Sequence, residues 1–228
     1  MIRPVVSPPG LWNGQGLHYL ALAILLVLVN AGWDYLDRPY PFWFWLAVSS
    51  PILHQIYVWL AWRLQLLSGL TERVLGFRFY LRVFFVLLAS RYLTLLVLAW
   101  FDRETLDIAM PIRLALTLPL LALGGYAGYS VWRYFGFVRA AGADHFDARY
   151  RHMPPVNQGV FRITANGMYV FAFLLFWAIA IGFASSAALL VAAFSHVYIW
   201  IHFFATEKPD MAYLYENRTA GESYSADL

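Results

Sequence analysis

The chain has 228 residues, 61% of them hydrophobic, 19% aromatic and only 13% charged, with a mean hydropathy of +0.59. An average soluble domain is about 25% charged, and a water-soluble fold of this size leaves too much surface outside to hide so apolar a composition. A net charge of +3, with the basic residues scattered between apolar runs, speaks for anionic lipid heads rather than nucleic acid as partner; the lack of cysteine excludes disulfides, thiolate nucleophiles and thiolate metal sites.

Residues 1–16 are rich in Pro and Gly and do not read as a signal peptide, because no apolar run follows at once and no small-residue cleavage site is evident. A spanning helix needs about 20 mostly apolar residues. Runs of this kind are 17–32, 42–67, 79–100, 111–137, 168–184 and 187–205, the first of them short. The last two are split only by Gly182 and the Ser185-Ser186 pair, which predicts a tight helical hairpin. The runs are continuous rather than alternating, which excludes a strand barrel. The expected fold is therefore all-α: a polytopic transmembrane bundle of about six spans forming one membrane domain. With six spans, one face holds both termini and twelve of the sixteen Lys and Arg residues, which predicts cytoplasmic termini in an inner, cytoplasmic-type membrane. Residues 136–164 form a polar segment far longer than a usual connection, and such loops are usually functional or disordered.

Polar groups inside a bilayer are costly and tend to face a cavity or a partner. His54, Gln55, Arg91, Asn166, His196 and His202 meet that test. Arg91 either pairs with a polar group of another helix or holds an anionic group. His54 and Gln55 either make interhelical hydrogen bonds, worth on average about 0.6 kcal/mol in membranes, or contact a substrate. His196 and His202 are six residues apart, about 120° around a helix, so they do not share a face as metal ligands would, and no metal site is expected. Tyr198 and His202 do share a face, as a cavity wall or as plain packing. Glu207 and Asp210 flank Pro209, where a helix is expected to break or start; a carboxylate there is either a solvated helix end or well placed to hold a cation. Gly124, Gly125 and Gly128 allow helices to approach closely; with no strand before them, they are not a dinucleotide fingerprint.

The stretch Gly159-Val-Phe-Arg-Ile-Thr-Ala-Asn-Gly-Met-Tyr169, the hairpin after it, Thr206-Glu207 and Tyr213-Leu-Tyr215 resemble the C-terminal half of the phospholipid and isoprenylcysteine methyltransferases. There a loop reading roughly Arg-His-Pro-x-Tyr or Asp-Asn-Pro-Met-Tyr precedes two membrane helices, and a Glu-Glu pair follows them. Asn166, Met168 and Tyr169 match the second pattern; Ala165 and Gly167 match neither, and Thr206 stands at the first Glu position. Gly125-Tyr-Ala-Gly128 with Tyr134-Phe-Gly136 is similar to the helix that precedes this loop. The resemblance covers about 124–218 and divides the chain into N-terminal helices, 1–110, on the acceptor side, a cofactor-binding half, 111–218, and a tail, 219–228.

The resemblance implies S-adenosyl-L-methionine as cofactor and methyl transfer to a lipid or hydrophobic small-molecule acceptor. Cofactor contacts would come from Asn166, Tyr169, Tyr198, Glu207, Gly125 and Gly128. From position alone, outside the resemblance, His54, Gln55 and Arg91 would bind the acceptor, with Tyr57 and Arg63 also shaping that side. His196, His202 or Asp210 would take a proton. Two other readings fit the composition. One is an NADPH-dependent membrane reductase of the steroid-reductase type, with Arg133, Arg139, Arg149, Arg151 and Arg162 holding phosphates. The other is a non-catalytic transport or assembly protein, although no internal repeat of the kind transporters carry is visible.

Overall fold

Apolar runs punctuated by Pro and Gly fold as helices, because in hydrocarbon each backbone N–H and C=O has to be satisfied within its own segment. In the computed structural model, which describes residues 7–215, α1 spans Gln15–Tyr35, α2 Pro41–Ser68, α3 Leu70–Val74, α4 Phe77–Phe101 and α5 Met110–Ser130. Two short helices follow, α6 (Phe137–Ala140) and α7 (Ala148–Arg151), then α8 (Leu174–Gly182) and α9 (Ser186–His202). There is no strand among the described residues. Arg3, Arg218 and the 219–228 tail lie outside them.

The helix ends follow local chemistry. Pro41 sits in the first turn of α2, where its missing N–H costs nothing. Gly69, at φ 66°, closes the same helix by donating its N–H to the Gln65 carbonyl at 2.9 Å. Ser185 caps α9, its Oγ accepting from the Ala188 N–H at 3.0 Å.

Five helices are long and apolar enough to cross a membrane: Gln15–Tyr35, Pro41–Ser68, Phe77–Phe101, Met110–Phe135 and Ser186–Tyr215. The fifth apolar run differs from the full span expected of it. Met168–Gly182 is shorter, about 22 Å at ~1.5 Å per residue against a hydrocarbon core of ~30 Å. It still forms the expected tight hairpin with α9, turning at Phe183, Ala184 and Ser185. Leu17, Leu20, Ile24 and Leu28 on α1, Val86 and Leu93 on α4, and Leu114, Leu118 and Leu121 on α5 are exposed large apolar side chains, as lipid-facing positions require.

Helix α2 packs against α4 and α9, and α9 also packs against α1 and α8. Phe44, Leu95, Leu98, Phe176, Val191, Phe194 and Tyr198 form the central apolar core between them. One end of the bundle is pinned by Asp102, buried just after α4. Its carboxylate accepts from the Ser185 hydroxyl at 2.6 Å, the Ala187 N–H at 2.9 Å and the Thr105 hydroxyl at 3.0 Å. This places a negative charge at the positive end of the α9 dipole. Arg113 adds a second tie, donating from Nε to the Gly182 carbonyl at 2.7 Å and pairing with Glu104 at 2.6 Å. The hairpin turn is therefore fixed, and the opposite end carries the polar segment and the site.

Candidate active site

Three helices widen into a π-turn at the same end of the bundle: Val131–Phe135 after α5, Met168–Ala172 before α8 and Phe203–Glu207 after α9. Such one-turn bulges recur at functional sites. Val131, Met168, Tyr169, Ala172 and Glu207, all from these turns, line a cavity of about 310 Å³. That volume lies at the lower end of the ~300–1,000 Å³ range of small-molecule sites. Helix α2 contributes His54, Gln55 and Trp62, α4 contributes Phe85, Leu88 and Arg91, α5 contributes Gly124 and Gly128, and α9 contributes His202.

The π-turn that carries Glu207 is followed two residues later by a proline. Of the break or start expected at Pro209, the chain shows no break: after the π-turn an α-helix starts at Lys208 and runs through Pro209 to Tyr215. Pro209 has no N–H to offer the Ala205 carbonyl four residues back. Two side chains from the N-terminal helices reach that carbonyl instead, Gln15 Nε2 and Arg63 Nη2, each at 3.5 Å. Gln15 also donates to the Thr206 hydroxyl at 3.1 Å, and its Oε1 bonds His18 Nδ1 at 2.8 Å, while His18 Nε2 bonds the Tyr198 hydroxyl at 2.9 Å. The approach needs glycine at position 14: φ is +81°, and a Cβ there would fall 2.3 Å from the Ala205 carbonyl oxygen. Arg63 is fully buried, donates to the Gly10 carbonyl at 2.7 Å and pairs with Asp210 at 2.8 Å. Glu207 is thus presented by a turn that α1 and α2 grip from beneath.

The polar segment docks on the same place through His145. Its ring stacks on Trp62 at 4.1 Å between centroids, Nδ1 lies 3.1 Å from Asp144 Oδ1 and Nε2 lies 3.3 Å from Asp210 Oδ2. A ring with a carboxylate at each nitrogen donates from both only as an imidazolium. Burial disfavours that charge, but the hydrogen bonds and negative charge of Asp144 and Asp210 outweigh it and raise His145 to about 9. Burial likewise works against the Asp144 carboxylate, and the His145 and Tyr215 hydrogen bonds with the His145 charge hold it below its ordinary value. Gly142 permits the stack, since at φ +80° a Cβ would meet the Trp62 ring at 2.3 Å.

Of the residues singled out by sequence, the cavity gathers His54, Gln55, Arg91, Gly128, Tyr169, His202 and Glu207. The Tyr169 hydroxyl donates to the Glu207 carboxylate in a short contact. Both ring nitrogens of buried His202 have no partner among the described residues. The other residues sit elsewhere. His196 accepts at Nδ1 from Trp177 Nε1 at 3.0 Å, against α8. Asp210 is held by Arg63 and His145, and Tyr198 by His18. Asn166 receives the Tyr169 and Val170 N–H groups on its backbone carbonyl at 3.0 and 3.1 Å, opening the π-turn. Gly125 is exposed on the outer side of α5, while Gly124 packs on Leu175 and lines the cavity. Tyr57 bonds the Tyr80 carbonyl at 3.2 Å, outside the cavity wall. Gln15, His18, Asp144 and His145 were missed by sequence reasoning. His145 and Asp144 had a signal in the long polar segment that holds them; Gln15 and His18 had only their place at the start of an apolar run.

Residues 112–218 match the family described as phospholipid methyltransferase. No curated protein and no solved structure matches the chain. The matched segment runs from α5 through both hairpin helices and holds Tyr169, His202 and Glu207, so this part of the chain is similar to the phospholipid methyltransferase family.

Proposed function

We propose that the protein is a membrane-embedded S-adenosyl-L-methionine-dependent methyltransferase that acts on a lipid or another hydrophobic acceptor. The observation that carries this reading is one cavity shared by two halves of the chain. The family-matched half supplies Tyr169, His202 and Glu207, and the N-terminal half supplies His54, Gln55 and Arg91. The wall chemistry fits the cofactor: Glu207 suits its ammonium group, and the rings of Tyr169 and Phe173 suit a sulfonium through cation–π attraction.

Bound S-adenosylmethionine supplies a methyl group on an electron-poor sulfur. The residues of the chain account for the rest. The Tyr169 hydroxyl fixes the direction of the Glu207 carboxylate, and the turn beneath it is locked by Gln15 and Arg63. Apolar walls from Phe85, Leu88, Phe173 and Phe176 exclude water from the reacting atoms. Alignment in such a site reaches effective molarities of about 10⁵–10⁸ M. His202 lines the cavity with unpartnered nitrogens, and as a neutral imidazole it takes the proton released by an amine or hydroxyl acceptor. Helices α4 and α5 flank the cavity without packing along one another; an acceptor enters there from the bilayer. The basic end of the bundle faces the cytoplasm, where the cofactor is supplied. Residues 1–110 serve as the acceptor side and 111–218 as the cofactor side.

The reductase reading gains no support from the arginines it would need. Arg139 donates to the Pro154 carbonyl at 3.2 Å, Arg149 pairs with Asp147 at 2.6 Å and Arg151 donates to the Asp144 carbonyl at 2.6 Å, and none lines the cavity. The test is calorimetric binding of S-adenosylmethionine and NADPH to the purified protein, wild type against Glu207→Gln. Binding of S-adenosylmethionine that weakens at least tenfold in the variant is expected. Binding indifferent to Glu207 removes that assignment, and binding of NADPH alone removes the reading.

A further inference from the structure

The inner part of the cavity holds hydrogen-bond donors with nothing to donate to. Arg91, His54 and Gln55 are 4%, 4% and 2% exposed and line the cavity wall. Arg91 donates only from Nη1, weakly, to His54 Nδ1 at 3.5 Å; its Nε and Nη2 have no partner among the described residues. These two atoms form the forked edge of a guanidinium, the edge that matches two oxygens of a carboxylate or phosphate. Phe173 and Phe176 lie at 5.0 and 5.6 Å from the guanidinium carbon. Neither ring offers an acceptor to the Arg91 Nε and Nη2 groups, which stay without a hydrogen-bond partner among the described residues.

The neighbours have the same bias. If His54 accepts at Nδ1, its Nε2 carries the proton, and that atom is unpartnered. Gln55 Nε2, a donor, is unpartnered as well. All four idle atoms are donors, and no ion pair found among the described residues involves Arg91. Arg91 lies near the middle of α4, at bilayer depth, where an uncompensated cation is costly. A ligand oxyanion would supply both the acceptor atoms and the opposite charge.

We propose that Arg91, with His54 and Gln55 beside it, forms an oxyanion subsite at the inner end of the cavity that takes the paired oxygens of a carboxylate or phosphate on a bound ligand. The inference rests on the methyltransferase reading for its two sources, the methionine carboxylate of the cofactor or an acidic group on the acceptor. It lies outside the family-matched residues.

Full-length protein in nanodiscs, wild type and Arg91→Gln, is titrated with S-adenosylmethionine and with its decarboxylated analogue, and separately with laurate, dodecyl phosphate and dodecanol. A charge-assisted forked contact predicts about a tenfold or greater loss for whichever ligand supplies the oxyanion. If that ligand is the cofactor, S-adenosylmethionine weakens in the variant and the decarboxylated analogue does not. If it is the acceptor, S-adenosylmethionine is unaffected, laurate or dodecyl phosphate weakens and dodecanol does not. Losses below threefold in both arms overturn the subsite. Should Arg91→Gln fail to fold, Arg91→Lys keeps the charge without the fork and is expected to show the same ordering with a smaller loss; no loss there counts against the proposal equally. A wild-type protein that binds no S-adenosylmethionine would sink the methyltransferase reading, while the amphiphile arm still decides the subsite.

Discussion

His145 links the polar segment to the membrane helices, and its chemistry sets a pH dependence with a definite sign. The group rises from an ordinary 6.5 to about 9 on docking between Asp144 and Asp210. At ~1.36 kcal/mol per pH unit this is on the order of 3 kcal/mol of stabilisation. A raised value means that the contribution is complete below pH 6.5, where both the docked and the undocked ring are charged. It is lost as pH rises through about 9, where the docked ring gives up its proton. The perturbation is His145→Gln, which keeps a polar side chain of similar reach and removes the charge. The assay is tryptophan-fluorescence melting of both proteins from pH 6 to 10, following the difference between them so that general alkaline effects cancel. The wild type should melt well above the variant at pH 6.5, and the gap should close between pH 8 and 10. A gap that holds constant over that range would refute the imidazolium bridge.

Other consequences follow from the same contacts. Arg63→Met removes the closer of the two cations at the buried Asp210 carboxylate, paired at 2.8 Å, leaves it to His145 alone, and should cost about 3–5 kcal/mol in reversible detergent unfolding; adding Asp210→Leu should recover part of that loss, and a double variant as unstable as the sum of two single ones would count against coupling. Gly142→Ala forces a side chain into φ +80° and onto the Trp62 ring, for about 1–3 kcal/mol by the same measurement; an unchanged midpoint would mean that the segment does not dock there. Asp102→Ala leaves the Ser185 hydroxyl and the Ala187 N–H without an acceptor at the buried start of α9 and should cost about 1–3 kcal/mol, readable as faster hydrogen exchange at 184–190; exchange as slow as in wild type would refute it.

Composition and apolar run length alone established a helical membrane protein, because hydrocarbon admits only segments that satisfy their own backbone. The runs also located the hairpin, and the Asn-x-Met-Tyr and Thr-Glu patterns pointed to the methyltransferase family. The polar residues of apolar runs were visible for a similar reason: His54, Gln55, Arg91 and His202 cannot face lipid cheaply. What they face was not visible. Gln15 meets Thr206 across 191 positions, and Arg63 meets the Ala205 carbonyl across 142. Nothing local in the chain encodes such pairings. Pro209 illustrates the difference. Its sequence rule predicted a break or a start, and the fold keeps the chain helical there by bringing two donors from distant helices to the carbonyl that the proline leaves idle. The sequence by itself determined which groups need partners in a medium that offers no water. Only the tertiary structure decided which groups found them, as His145 and Asp210 did, and which, like the forked edge of Arg91, were left open to a ligand.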